Sequence, residues 1–391
     1  MKESSRVRAR IVITGVGAIT PLGATADTTW TSLLRGETAA RDWDDLARDG
    51  HRAVRACRID DFDAPDARRG RTLAIAAARE AVRQAGRADT TGGVFIGSTL
   101  GESAAFEQAG AGNPMDLADY GVSSFCNGLA AAFSLTGPRE AIATACAAGN
   151  YAIGAAALAL RQGRASWAIA GGVEPFSRLS MVGFSRSRAM ASGDCKPFDV
   201  SRTGMLLGEG AAMLVLERLD DAIAREAKPL AEVCGLGLSS DAHHPTAPRP
   251  DGRGMRRAMQ AALSEADVSP SDVDWVNVHG TGTRASDSAE GRALRELFDG
   301  VAMPALSGSK GALGHGLGAA SAIEAVLCVL GLRDQLLPPT RGHVDVDPDI
   351  GLSCTRERTV PAARPLRVAM NNAFAFGGLN SALVLKRWEA A

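Results

Sequence analysis

Between Glu140 and Glu174 the hydrophobic pattern of the chain changes period twice. EAIATAC reads as a strand, AAGNYAIGAAALALRQG as a small-residue helix and ASWAIAGGVE as another strand. The same order recurs before and after this stretch. DARRGRTLAIAAAREAVRQAG predicts a helix with Leu73, Ala76, Ala77 and Val82 on its apolar face, GGVFIGSTLG a buried strand, and GEGAAMLVLERL a further strand. DDAIAREAK then reads as a linker. Beyond it come a strand (AEVCGLGLSS), a helix (MRRAMQAALSEA), a strand and loop (VDWVNVHGTGT), two helices (SAEGRALRELF and HGLGAASAIEAVLCVLGL) and two closing strands in RVAMNNAFAFGGLNSALVL. Such alternation places the chain in the α/β class.

At 391 residues the chain exceeds the size at which one core usually stops growing. Two domains or two fused halves are therefore expected, and the order of elements alone favours two halves of like layout, 8–220 and 228–388. The 44 glycines and 5% aromatic content suit closely packed layers rather than an aromatic recognition surface. ARIVITGVGAITPLG predicts a strand over Arg10–Thr14, a glycine-rich turn and a helix from Asp27 to Leu34. Its GVG is not a dinucleotide fingerprint, because GxGxxG needs a helix at once and Pro21 and Leu22 intervene.

Formal net charge is −1, which supplies no electrostatic engine for nucleic acid. The apolar runs AIGAAALAL and IEAVLCVLGL fall short of the roughly 20 residues that span a bilayer, so no membrane association is expected. Seven cysteines without a CxxC pair or a secretory apolar region point to a reducing, cytoplasmic setting. Paired His243 and His244 lack the spacing that puts metal ligands on one helix face, so no metal is expected.

Four polar residues stand at strand ends or helix starts within apolar or glycine-rich sequence, where α/β proteins place their sites: Cys146, His279, Lys310 and His315. A thiol at a helix N-terminus faces unpaired N–H groups and the positive end of the dipole. Both favour the thiolate over an unperturbed pKa of roughly 8.5. Cys146 is accordingly the candidate nucleophile. His279 opens GTGT, whose glycines allow close backbone approach while Thr281 and Thr283 offer hydroxyls to a polar ligand.

These motifs, taken in order, carry a resemblance. VITGVGAITPLG, TACAAG, CKPFD, GEGAAMLVLE, DAHHPTAPRPDG, VNVHGTGTRASDSAE, SKGALGHGLGAASAIEA and NAFAFGGLNSALVL together resemble the β-ketoacyl-[acyl carrier protein] synthases, condensing enzymes of the thiolase superfamily, over nearly the whole chain. The resemblance is to the KAS II-like and type II polyketide ketosynthases. It implies a five-layered α-β-α-β-α thiolase fold with two pseudo-equivalent halves. It implies Cys146 as the acylated nucleophile and His279 and His315 as the pair that supports decarboxylation, with Lys310 in their network and Glu290 and Glu324 as supporting carboxylates. Phe376 matches the gating aromatic whose N–H joins that of Cys146 in an oxyanion hole, Phe374 a second residue of that loop, and Thr281 and Thr283 the contacts to a pantetheine arm.

The resemblance further implies that the enzyme binds no cofactor of its own. Its substrates ride on the 4'-phosphopantetheine of an acyl carrier protein, for which Arg68, Arg69, Arg71 and Arg202 are docking candidates. A homodimer, or a heterodimer with a homologous chain length factor, is expected. Segment 98–136, with Phe106, Met115, Phe125 and Phe133, is expected to border the dimer interface and acyl tunnel. SRTG for DRDG, Gly316, and Ala375 in FAFGG depart from the fatty-acid-elongating pattern and point toward type II polyketide or polyene synthesis. Fatty-acid elongation and a non-catalytic subunit of the same fold are the alternatives.

Overall fold

The computed structural model describes residues 8–60, 62, 68–110, 117–356, 360–361 and 364–389. Among them, ten strands build one mixed sheet: β1 (Ile11–Ile19), β2 (Gly93–Gly97), β3 (Arg139–Ile142), β4 (Trp167–Glu174), β5 (Gly210–Arg218), β6 (Ala231–Ser240), β7 (Trp275–Asn277), β8 (Ala305–Ser307), β9 (Val368–Phe374) and β10 (Leu379–Arg387). Their spatial order is β8-β7-β9-β10-β6-β1-β5-β4-β2-β3. The seam is antiparallel and short, pairing Ile11 with Val233, Val12 with Glu232 and Ile13 with Ala231. Outward from it, each side runs through the first, fifth, fourth, second and third strand of its own half. The second strand of each half pairs in parallel with its third and fourth, and the fifth pairs antiparallel with the first and fourth.

Six helices matter for the site: α1 (Arg69–Ala85), α2 (Ala148–Arg161), α3 (Arg178–Arg186), α4 (Arg253–Ala266), α5 (Arg284–Leu297) and α6 (Ala320–Asp334). α2 and α6 pack on each other and touch strands of both halves, whereas α1 covers β1 and β5 and α4 covers β6 and β10. That placement explains the composition of α6. Every residue from Ala320 to Leu332 is buried, so the helix is apolar all round rather than striped.

The glycine-rich turn expected after Thr14 is corrected. β1 continues through Gly15 and Gly17 to Ile19, with a register shift between Ile13 and Gly15. These glycines serve close approach: an added Cβ would run into the carbonyl oxygens of Ala81 and Ala77 on α1. Gly235 and Gly237 of β6 meet Ala262 and Ala258 of α4 in the same way. GVG and GLG are thus one packing device used in both halves.

DDAIAREAK is also more than a linker. Leu219–Ala224 forms a short helix whose Leu219 and Ala222 pack with Val12 and Trp388. In segment 98–136, Phe125 is wholly buried in the core beneath α1, Phe133 is half-buried against that core, and Phe106 is 46% exposed. Met115 lies outside the described residues. No helix among the described residues is long and apolar enough to cross a membrane.

Candidate active site

β3 ends at Ile142, and the chain takes a single 3-10 turn, Ala145–Ala147, before α2 begins at Ala148. Ala145 is left-handed (φ 48°), a conformation that costs a non-glycine residue about 1–3 kcal/mol. Cys146 therefore sits on a strained strand-to-helix corner, 6% exposed, in the wall of a cavity of about 390 Å³. His279, His315, Phe374, Phe376, Thr281 and Thr283 line the same cavity.

His315 Nε2 lies 3.1 Å from Cys146 Sγ. The His315 backbone is clamped to the segment before β5: its N–H donates to Leu206 O (2.7 Å) and its carbonyl accepts from Gly208 N (3.0 Å). The two imidazoles meet edge-on, with centroids 5.5 Å apart, and Phe374 stands 6.0 Å from the His279 ring. Burial, helped by the Lys310 charge, holds both histidines well below the ordinary 6.5, so both are neutral at pH 7. Nδ1 of each ring is buried without a hydrogen-bond partner among the described residues, so no acceptor there fixes the tautomer.

The expected resting thiolate is corrected. Burial pushes the Cys146 thiol up to about 12. The Lys310 charge and the N–H groups of Phe376 and Cys146 pull it down, and Glu174 pushes it further up. Desolvation wins because the sulfur is largely buried, whereas the helix terminus supplies only fractional charge. The resting group is a thiol with a neutral imidazole at hydrogen-bonding distance. The same two N–H groups that face the sulfur are those expected to hold an oxyanion.

Lys310 Nζ donates to His279 O (2.6 Å) and Glu324 Oε1 (2.5 Å), and Ser309 Oγ donates to the same Glu324 oxygen (2.9 Å). Glu290 accepts the N–H groups of His279 (2.8 Å) and Gly280 (2.9 Å), and burial raises its carboxyl to about 7. Lys310 and Glu290 thereby hold the His279 backbone from two sides. Thr281 and Thr283 share a hydroxyl hydrogen bond of 2.9 Å at the cavity wall. After Phe374 the chain turns through Gly377 (φ 81°) and Gly378 (φ 71°), and Gly377 N donates to Pro245 O (2.8 Å). Ala375 keeps an extended backbone (φ −97°), so its Cβ carries no strain in this conformation.

The docking arginines fare differently from one another. Arg202 is 1% exposed and is held by Asp347, Ser288 Oγ (2.9 Å) and Asp199 O (3.0 Å). It is a buried strut, and a surface role for it is ruled out. Arg69 forks onto Glu209 (2.8 and 2.9 Å) and Ile59 O, with its side chain 16% exposed. Arg71 bonds Asp119, and Arg68 alone of the four keeps more than half of its side chain exposed, 3.3 Å from Asp119.

Sequence reasoning passed over three features. Arg188 and Arg284 are exposed where the cavity opens, and Arg284 directly follows Thr283, a signal that went unused. Phe184 of α3 packs on Phe376 at 5.5 Å. Glu174 is fully buried and gathers the N–H groups of Thr99 (2.6 Å), Leu100 (2.9 Å) and Gly318 (2.9 Å). As for the histidine pair at 243 and 244, His244 Nδ1 accepts from Thr246 N and Ala247 N, both at 3.1 Å, and shapes that loop. No group of three or more metal-ligating side chains occurs among the described residues.

A buried thiol beside two neutral imidazoles, mounted on a mixed α/β sheet of this topology, defines a ketosynthase-type condensing enzyme. Residues 8–222 match the β-ketoacyl synthase N-terminal domain and residues 230–343 its C-terminal domain. The chain belongs to the β-ketoacyl synthase family. It is 36% identical to 3-oxoacyl-[acyl-carrier-protein] synthase 2 of Rhizobium meliloti (strain 1021), over 97% of this chain and 99% of that protein. Nodulation protein E of the same organism is also 36% identical, with the same coverage. Among solved structures, the ishigamide ketosynthase/chain length factor superposes with a TM-score of 0.90 at 36% identity, covering 98% of this chain and all of that one.

Proposed function

We propose that the chain joins a Cys146-bound acyl group to malonyl units carried on an acyl carrier protein, giving a β-ketoacyl thioester two carbons longer. The observation that carries this is the 3.1 Å approach of His315 Nε2 to Cys146 Sγ inside a cavity that also holds His279. In the first half-reaction the thiol proton passes to His315 Nε2 and the sulfur attacks the acyl thioester. The oxyanion is held by the N–H groups of Cys146 and Phe376, and the carrier thiol leaves with the proton. In the second, the malonyl C–C bond breaks and carbon dioxide departs. The electron pair becomes an enolate stabilised by Nε2–H of His279 and of His315, the latter having changed tautomer so that its one proton sits on Nε2, which its unpartnered Nδ1 allows. The enolate carbon attacks the acyl-cysteine, and the Cys146 sulfur leaves as a thiolate that takes up one proton from water to restore the thiol.

Lys310 orients His279 and balances Glu324, and Glu290 supports the same strand end. Thr281 and Thr283 bind the amides of the pantetheine arm, and Phe374 and Phe376 gate the cavity. Arg68, exposed beside Asp119, is the most accessible docking candidate, with Arg69 and Arg71 partly exposed next to it. The two halves, 8–220 and 228–388, form a five-layered α-β-α-β-α arrangement, supported by the matching strand order on each side of the seam and by α2 and α6 between them.

The setting we favour is type II polyketide or polyene synthesis with a homologous chain length factor. The superposition with the ishigamide ketosynthase/chain length factor supports it. The identity to synthase 2 of R. meliloti keeps fatty-acid elongation as the second reading. Intact-mass analysis with saturated and conjugated acyl carrier thioesters, followed by malonyl carrier, tests both. A Cys146 adduct and a product two carbons longer are expected, with the preferred acyl group deciding between the readings. No adduct, alone or with a co-encoded homologue, would overturn the proposal.

A further inference from the structure

Each segment that delivers a reacting group to the cavity also sends a polar side chain inward, and these side chains meet in one buried knot. Asn150, one turn beyond Cys146, donates from Nδ2 to Asn371 O (3.1 Å) and Ser381 Oγ (3.2 Å), and its own N–H donates to Ser321 Oγ (3.1 Å). Asn371, on the strand leading to Phe374 and Phe376, donates from Nδ2 to Asn150 Oδ1 (3.0 Å) and Ser321 O (2.8 Å). Its Oδ1 accepts from Asn277 Nδ2 at 2.9 Å. Asn277 lies two residues before His279 and hydrogen-bonds Glu324, the partner of Lys310. Ser321 lies on α6, shortly after His315.

Asn150, Asn277, Asn371, Ser321 and Ser381 are at most 1% exposed, and their amide and hydroxyl groups are all satisfied. An isolated buried amide is costly, and a fully connected set is directional: it holds only when all its members are in register. The knot ties α2, β7, β9, β10 and α6 together at the junction of the two halves. An apolar core at this junction would tolerate small slides of one half past the other, since apolar contact has no preferred direction.

We infer that the Asn150–Asn371–Asn277 knot is a positioning device, which holds the Cys146 corner of one half in register with the His279–His315 pair of the other. None of its members touches the cavity. It acts on condensation, the one step that needs an acyl-cysteine and an enolate at once, more than on small-molecule alkylation of Cys146 or decarboxylation of malonyl carrier taken separately. The inference rests on the reading of Cys146, His279 and His315 as the reacting groups.

The test is the double variant Asn150→Leu/Asn371→Leu, which replaces both sides of the Asn150–Asn371 bridge by apolar groups of similar size, while Asn277 loses its Asn371 acceptor and keeps Glu324. Three rates are compared with the wild type: iodoacetamide alkylation of Cys146, carbon dioxide release from malonyl carrier protein, and condensation of octanoyl and malonyl carriers. Expected are alkylation and decarboxylation within about threefold of wild type and condensation reduced about 100-fold, the scale of a misplacement near 1 Å. Three rates falling together, or condensation unchanged, would overturn the inference. Should the double variant not fold, Asn150→Ser removes the amide bridge while keeping a polar group, and the same split, at about tenfold, is expected. Absence of either half-reaction in the wild-type chain would reject the underlying reading, and the inference with it.

Discussion

His315 Nε2 stands 3.1 Å from Cys146 Sγ although 169 residues separate the two in the chain, and both groups are buried. The approach joins the two halves of the sheet at one point, and the resting protonation of each partner follows from burial.

Alkylation of Cys146 by iodoacetamide should keep accelerating from pH 7 to pH 10. A thiol pushed up to about 12 gains thiolate about tenfold per pH unit across that range. A plateau at or below pH 8.5 would show that the helix terminus and Lys310 outweigh burial.

Decarboxylation of malonyl carrier should be flat between pH 8 and pH 6, because both imidazoles are already neutral there. Stability, unlike the rate, falls with pH. A histidine whose folded pKa is depressed binds fewer protons than its unfolded counterpart, so stability is lost as pH falls below about 6.5. A rate that drops with an apparent pKa near 6.5 would contradict the lowered values.

Lys310→Met should destabilise the protein by about 3–5 kcal/mol, since it strands Glu324 in the core without its cation. Adding Glu324→Gln should recover part of that loss in a denaturant titration. Equal stability of the single and double variants would show that the pair is not coupled.

Arg202→Ala should cost about 3–5 kcal/mol by leaving Asp347 and Asp287 without their buried partner. Arg68→Ala should change stability by no more than about 0.5 kcal/mol and raise KM for the carrier. A stable Arg202→Ala protein with a selectively raised KM would reverse the two assignments.

Gly17→Ala should lower stability by about 3 kcal/mol or more, because the new methyl meets the backbone of α1, which cannot step aside as a side chain would. Thermal unfolding gives the answer directly. A neutral result would show that α1 can move off β1.

Much of this was legible in the chain itself. Strand and helix periods gave the α/β class, and the small-residue run after Cys146 gave α2, because one apolar face at a fixed period is a local property. The ordered motifs picked out Cys146, His279, Lys310 and His315 before any of them was placed, and all four meet at or beside the cavity. The GVG run misled because its glycines answer to a helix more than 50 residues away, and an isolated pattern of glycines reads as a turn. Arg202 misled likewise, since nothing local to SRTG announces that Asp347 will bury it.

Sequence alone determined the α/β class, which residue types stand at the site and the family pattern, all of which are set by residue identity and short-range order. Tertiary structure decided the protonation of Cys146 and of the two histidines, the burial of Arg202 and the amide knot across the halves. Each of these depends on exclusion from water and on partners distant in the chain, and local sequence specifies neither.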